Sequence, residues 1–411
     1  MIDVGIVGAG LSGLACARTL TQRGLEVAVF ESADAVGGRI RTHRQDGFLI
    51  DRGFQVLLTA YPEARAVLDY AALGLGAFEP GALVRHGGAF HTIGDPFRQP
   101  LQAFPTLRAD VGTLADKLRV LRLRQSVRAG IDEALWARPE TTTLAALRDR
   151  YGFSARMIDR FFRPFLGGVL LDPELSASSR AFEVYFRRFS EGVAALPAGG
   201  MQAIPEQIAA ALPPGTVRLG AHVEQVAPTE IRVTGGEAVA CRAVVVAADA
   251  PHAGALLHTE TPPSKGTTQL AFAAPQAPTD RALLVLDGDR SGPVNNAQVV
   301  SLAQPSYAPG SQALVTASVL GRPTMDDDAL DAAARAQLRG WFGDAVDAWR
   351  TLRIDHVPDA LPALPSLDPP ERSVRMAGLY VAGDWRRNGS INGALVSGRH
   401  AAEAVLADLG A

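Results

Sequence analysis

Six residues near the start, Gly8-Ala9-Gly10-Leu11-Ser12-Gly13, constrain the fold more than any other part of the chain. They follow residues 3–7, a short apolar run of strand type, and lead into residues 14–20, whose apolar positions carry helical spacing. Residues 25–30 then read as a second buried strand, ending on Glu31. Strand, glycine turn, helix, strand and distal acid together open a doubly wound α/β domain that binds a dinucleotide. Gly8 permits the tight turn, Gly10 lets backbone approach a pyrophosphate, and Gly13 lets the helix lie close on the strand. At Leu11 and Ser12 the helix N-terminus offers free N–H groups and a positive dipole end to the phosphates. Glu31, with Ser32 beside it, stands where a carboxylate accepts hydrogen bonds from a ribose and disfavours a 2′-phosphate. NADP is thereby a poor candidate, while NAD and FAD both stay open.

Composition narrows the class of partner. Apolar residues make up 47% and charged residues 20% of the 411, with a net charge of −3, so the chain folds globularly and lacks the basic excess of a nucleic-acid binder. The only lysines are Lys117 and Lys265, and the two cysteines, Cys16 and Cys241, sit in apolar runs. A disulfide framework is not expected, nor is a metal site. The first strand begins at Ile2 and leaves no room for a leader, and no apolar run is long enough to span a membrane. The expected location is cytoplasmic, with peripheral membrane contact left open.

Further motifs follow. Gly37-Gly38-Arg39-Ile40-Arg41-Thr42 comes just after the second strand, where Arg39 is a charge-assisted fork donor for a pyrophosphate. Gly53-Phe54-Gln55 forms another glycine turn, and Leu196-Pro197-Ala198-Gly199-Gly200-Met201 a third. Near the end come Gly378-Leu379-Tyr380-Val381-Ala382-Gly383-Asp384, then Gly389-Ser390-Ile391-Asn392-Gly393-Ala394, then a helix containing Ser397-Gly398-Arg399. In this order the motifs resemble the superfamily of flavin amine oxidases, protoporphyrinogen oxidases and phytoene desaturases. The resemblance covers the cofactor half well and the substrate half loosely. It implies non-covalent FAD, held by Gly8, Gly10, Leu11, Ser12, Gly13, Glu31, Ser32, Gly38, Arg39, Gly53, Phe54, Gln55, Val223, Gly383, Asp384, Ile391, Asn392 and Ala394. Within that set Val223 is assigned to the adenine, Asp384 to the ribityl-phosphate region, and the backbone of Ile391 and Asn392 to the flavin.

The expected fold is α/β: a Rossmann-like FAD-binding domain assembled from residues 1–62, 197–252 and 371–411, plus an α+β substrate domain. The latter comprises a helical part, 63–196, and an antiparallel sheet with helices, 253–370. Helical spacing covers 63–70, 115–136, 143–151 and 155–165, and short alternating runs mark strands such as 313–320.

For the chemistry, the resemblance implies hydride transfer from a C–H bond to flavin N5. Two devices of its amine oxidases are missing. The strand from Thr267 to Phe272 holds no lysine, and Lys265 reads as a solvated turn residue. Ser390 replaces the aromatic expected before the closing helix, leaving Trp385 as half a cage at most. An apolar substrate, isoprenoid-, carotenoid- or porphyrinogen-like, is therefore expected. The alternatives are an amine oxidase with a non-standard site, a flavin isomerase and a flavin-free carrier. Either the aromatics and arginines of 161–169 and 182–189 line an apolar tunnel, or their phenylalanines fill helix cores. Lys117, Arg119, Arg122, Arg124 and Arg128 lie on a helix opposite Leu118, Leu121 and Val127, forming either a solvated face or a membrane-facing one. No histidine has ligand spacing, His400 reads as a packing residue, and no catalytic side chain is assigned.

Overall fold

Period-two burial on both faces marks the central strands of the first sheet. Val4 and Ile6, Val27 and Val29, Ala243 and Val245 face one side, packed against the first helix, Leu11–Thr21, and the closing helix, Ile391–Leu409. Val7, Ala28 and Phe30, Val244 and Val246 face the other, over the helix Ala250–Leu257. A strand buried on both faces is the mark of a parallel sheet covered by crossover helices. The computed structural model describes residues 2–95, 98–99, 106, 108–130, 132–236, 238–367 and 374–411.

Strands Val217–Arg218, Val27–Phe30, Ile2–Val7, Ala238–Val246 and Leu379–Val381 lie side by side in parallel. Val7 is level with Phe30 and Val246, and Val246 with Val381, so their carboxyl ends share one edge. Three distant stretches of chain thus build one sheet. The proposed boundary at 371 lies outside the described residues.

The second sheet runs Arg350–Pro362, Ser264–Ala274, Ala313–Leu320, Val294–Val299, Leu284–Asp287, Gly81–His86, Ala89–Gly94. It departs from the expected organisation twice. The hairpin 81–94 comes from the stretch read as helical, and Leu284–Asp287 pairs with Gly81–His86 in parallel. Its outer face (Leu270, Phe272, Val315, Ala317) packs on the helix Asp327–Phe342. On the opposite face Thr267, Gln269, Asn296, Gln298, Thr316 and Ser318 are all under 10% exposed.

Helix ends differ from expectation where glycine or strain intervenes. The helix read over 115–136 breaks at Ala129-Gly130 into Leu114–Arg128 and Asp132–Trp136, since Gly130 adopts φ +74°. Residues 146–150 and 158–162 are single π-helical turns; the first ends the helix that begins at Thr143, and the second interrupts a helix read as continuous. No helix among the described residues is long and apolar enough to cross a membrane.

Candidate active site

The carboxyl edge of the parallel strands opens into a cavity of about 1210 Å³, which continues between the two sheets. This is the place where doubly wound folds bind ligands. Sixteen of the eighteen residues proposed as cofactor contacts line it; Gly13 and Asn392 do not. A Cβ on Gly13 would lie 1.9 Å from the carbonyl oxygen of Gly8, so this glycine serves helix–strand packing. Asn392 turns away, its Oδ1 accepting a 3.0 Å bond from the backbone N–H of Glu63.

At one end Gly8 takes φ +101°, and a Cβ on Gly10 would meet no atom within 4 Å, which leaves backbone open to the cavity. Gly10 caps the first helix without any side-chain bond. The first N–H groups of that helix are therefore left for an anion. Glu31 is buried: Oε2 accepts from Ala9 N–H at 2.7 Å and Oε1 from Ala33 N–H at 2.9 Å. It braces the glycine turn, and its remaining lone pairs can still accept hydroxyls. Farther along, Arg39 and Asp384, proposed separately as cofactor contacts, pair with each other at 2.6 Å, and Arg39 also donates to Ala360 O at 3.1 Å. An open glycine cradle, a buried acid beyond it and a cation held at mid-cavity fit a bound dinucleotide.

The strap Arg52–Gln55 is tied to this region by Gln55, whose Nε2 donates to Arg39 O at 3.1 Å. Behind the strap lies Asp51. Its carboxylate accepts from Thr42 Oγ1 at 2.6 Å, Met201 N–H at 2.9 Å and Tyr307 OH at 2.7 Å. Burial outweighs these bonds and raises its pKa from 3.8 to about 6. Folded protein therefore holds this proton more tightly than unfolded chain. Asp51 contributes stability that is complete below about pH 4 and lost as pH rises through about 6, at most about 3 kcal/mol. Asp51→Asn should remove that fall and exceed the parent in stability at pH 8. Urea melts of both proteins between pH 4 and 8 check this; parallel pH profiles would contradict it.

At the other end stands an aromatic wall. Phe161, Phe165, Phe186 and Phe189 line the cavity, whereas Phe162 and Phe182 are wholly buried core, so each of the two phenylalanine runs divides between both roles. Tyr61, which sequence reasoning missed, and Tyr185, inside the run 182–189, line the cavity beside Ser390. Tyr185 donates to Gly389 O at 3.1 Å, and Tyr61 hydrogen-bonds Ser390. Burial drives both phenols far above their ordinary pKa, keeping them neutral. Thr267, Asn296 and Ser318 form a polar floor. That floor was also missed, although the alternations Thr-x-Gln, Asn-x-Gln and Thr-x-Ser in three strands are its signal.

Two readings of the sequence are corrected. Lys265 is not in a solvated turn: it lies within the strand Ser264–Ala274, and its Nζ sits 3.2 Å from the buried Asp172. Trp385 supplies no part of a cage. It is 1% exposed, donates to Ala248 O at 3.2 Å and does not line the cavity. Leu118, read on the face opposite the basic residues, is 59% exposed, while Leu121 and Arg124 both line the cavity. His400 contacts Arg387 and stays outside the cavity, as a packing residue does. Cys16 and Cys241 are both buried in cores away from it.

Sequence and structure comparisons agree with this geometry. The profile of the flavin containing amine oxidoreductases matches residues 11–406. The chain belongs to that family. The family is one of flavin-containing oxidoreductases, and FAD is its cofactor. Protoporphyrinogen oxidase 2 of Arabidopsis thaliana is 28% identical over 187 residues, 44% of this chain and 35% of that protein. Phytoene dehydrogenase of Streptomyces griseus is 31% identical over 279 residues, 60% of this chain and 54% of that one. The match to the plant protoporphyrinogen oxidases thus spans about a third of their length. An oxidoreductase from Methanosarcina mazei shares the fold, with TM-score 0.76 at 18% identity over 98% of this chain and 100% of that one.

Proposed function

We propose that the chain oxidises a large, mainly apolar molecule at a C–H bond, using non-covalent FAD. One observation carries this reading: a single cavity runs without a break from the glycine cradle to the wall of Phe161, Phe165, Phe186 and Phe189. Bound FAD would supply a hydride acceptor at N5. Gly8, Gly10, Glu31, Arg39 and Asp384 would hold its dinucleotide part, and Ser390, Ile391 and Ala394 the end nearest the aromatic wall. Phenylalanines that cover the substrate bury its apolar surface and exclude water from the reacting carbon. Tyr61 and Tyr185 fix the entry to the closing helix through Ser390 and Gly389.

Amine oxidation is the weaker reading, because neither lysine lines the cavity. Lys265 is paired with Asp172, and Lys117 donates to Ala109 O at 3.2 Å.

The purified protein should show flavin bands near roughly 370 and 450 nm. Anaerobic titration with a polyene or a porphyrinogen should bleach them, and titration with putrescine or a cyclic amine should not. Bleaching by the amines alone would overturn the proposal.

A further inference from the structure

The polar floor of the cavity holds its hydrogen bonds in one fixed order. The alternations Asn-x-Gln in the strand Val294–Val299 and Thr-x-Ser in the strand Ala313–Leu320 set Asn296 opposite Ser318 and Gln298 opposite Thr316 on one face. All four are buried. The order starts from the Pro164 carbonyl, which can only accept, so the Asn295 amide turns its NH2 toward it at 2.9 Å. The same Nδ2 donates to Asn296 Oδ1 at 2.9 Å. Asn296 therefore points its own NH2 inward, donating to Gln298 Oε1 at 3.1 Å and to Ser318 Oγ at 3.3 Å. Gln298 Nε2 in turn donates to Thr316 Oγ1 at 2.5 Å.

One proton is left over. Ser318 Oγ accepts from Asn296, so its own O–H points away from that amide, and among the described residues the Ser318 hydroxyl donates to none. Asn296 and Ser318 both line the cavity. They belong to its aromatic half: a Cβ on Gly168 would lie 3.1 Å from Asn296 Oδ1, and Gly168 shares the helix Arg163–Leu170 with Phe165.

Resting on the proposed function above, we propose that the substrate carries an uncharged carbonyl on its apolar body, and that the Ser318 hydroxyl donates to the carbonyl oxygen. A carbonyl accepts and brings no proton of its own, which matches a site with a donor to spare. A pure hydrocarbon would strip water from that hydroxyl and leave its proton unbonded. The network consists of amides and hydroxyls alone, so a charged group seated on it would be desolvated without a counter-ion from the floor. A ketone or aldehyde on a large apolar skeleton meets both conditions.

Ser318 has a plainer role as one of two acceptors for the Asn296 amide. Removing its hydroxyl leaves Gln298 Oε1 in place as the other, so Ser318→Ala should keep the order of the floor and lose only the spare donor.

Titration calorimetry on the FAD-loaded protein compares androstanone with androstane, and farnesylacetone with the hydrocarbon that lacks its carbonyl. In at least one pair the ketone should bind about tenfold more tightly, a difference of about 1.4 kcal/mol. Ser318→Ala should bring the ketone down to the affinity of the hydrocarbon and leave the hydrocarbon unchanged. The infrared carbonyl stretch of the bound ketone should lie at lower wavenumber in the parent than in Ser318→Ala, a shift that a merely structural serine would not produce. Ketone and hydrocarbon binding equally well would overturn the carbonyl site and leave the apolar cavity reading intact. A ketone preference and a carbonyl stretch that Ser318→Ala leaves unchanged would overturn the assignment to Ser318. A Ser318→Ala protein whose flavin bands shift without any ligand would give the hydroxyl to the flavin and overturn the site as well. Failure of all four probes to bind would overturn both readings.

Discussion

Arg39→Ala should fold and purify without its flavin. Arg39 Nη2 lies 2.6 Å from Asp384 Oδ1, and the Asp384 side chain is only 8% exposed. Removing the guanidinium leaves that carboxylate uncompensated at the middle of a cavity that must accept a pyrophosphate. Losing a hydrogen bond to a charged group typically costs about 1.5–3 kcal/mol, which is roughly ten- to a hundredfold in affinity for FAD. Like-charge repulsion between Asp384 and the phosphates acts in the same direction. The ranking of neighbouring substitutions tests the cause. Asp384→Asn keeps an acceptor for Arg39 and should lose less FAD than Asp384→Ala, and both should lose less than Arg39→Ala. The flavin-to-protein absorbance ratio after purification gives the ranking, and a thermal melt of each variant shows whether it is folded. An Arg39→Ala protein as yellow as the parent would mean that the pair is structural and that the phosphates rest on the glycine turn alone.

The cofactor half was legible because its constraints are local. A turn at Gly8, a close approach at Gly10 and a helix start at Leu11 are each written in adjacent residues, and they depend on backbone geometry that few other sequences satisfy. Even here, long-range pairing stayed hidden: nothing in the sequence says that Arg39 and Asp384, 345 positions apart, meet each other. The substrate half was legible only as elements. Strand 313–320 was read at its observed bounds, yet the hairpin 81–94 was missed, since its pairing with Leu284–Asp287 depends on a partner two hundred residues away. The phenylalanine runs show the same limit. Phe161 and Phe162 are neighbours, but one faces the cavity and the other the core, and both lie in the π-helical turn Ile158–Phe162. Helical spacing alone does not foresee an extra residue in a turn. Lys265 was misread for a related reason. Its Pro-Ser-Lys-Gly context is turn-like, whereas the backbone there is held in a strand by pairing with Leu361 and the ammonium by Asp172.

The joint between the first and last parts of the chain should be just as intolerant of a single methyl group. Gly398 lies on the closing helix where it crosses the first helix. A Cβ placed there would be 2.1 Å from Ser12 O, 2.9 Å from Ser12 C and 3.0 Å from the Ala15 Cβ, where ordinary contact begins near 3.4 Å. Two of these neighbours are backbone, so no side chain can swing aside. Gly398→Ala must push the closing helix outward. That moves Ser390, Ile391 and Ala394 at one side of the cavity relative to Leu11 and Ser12 at the other. Overpacking of this kind costs about 1–3 kcal/mol or somewhat more, and a rigid backbone contact puts the expectation at the upper end. Gly340 gives the control. It lies in the helix Asp327–Phe342 with no atom within 4 Å of its would-be Cβ, so Gly340→Ala should gain up to about 1 kcal/mol from helix propensity. Heat denaturation of both variants, with FAD bound and with FAD stripped, separates the effects. Gly398→Ala should melt far below the parent in both states, and adding FAD should stabilise it less than it stabilises the parent. If Gly398→Ala melted with the parent, the two helices would be free to part, and the close crossing would not be what aligns the two halves of the flavin site.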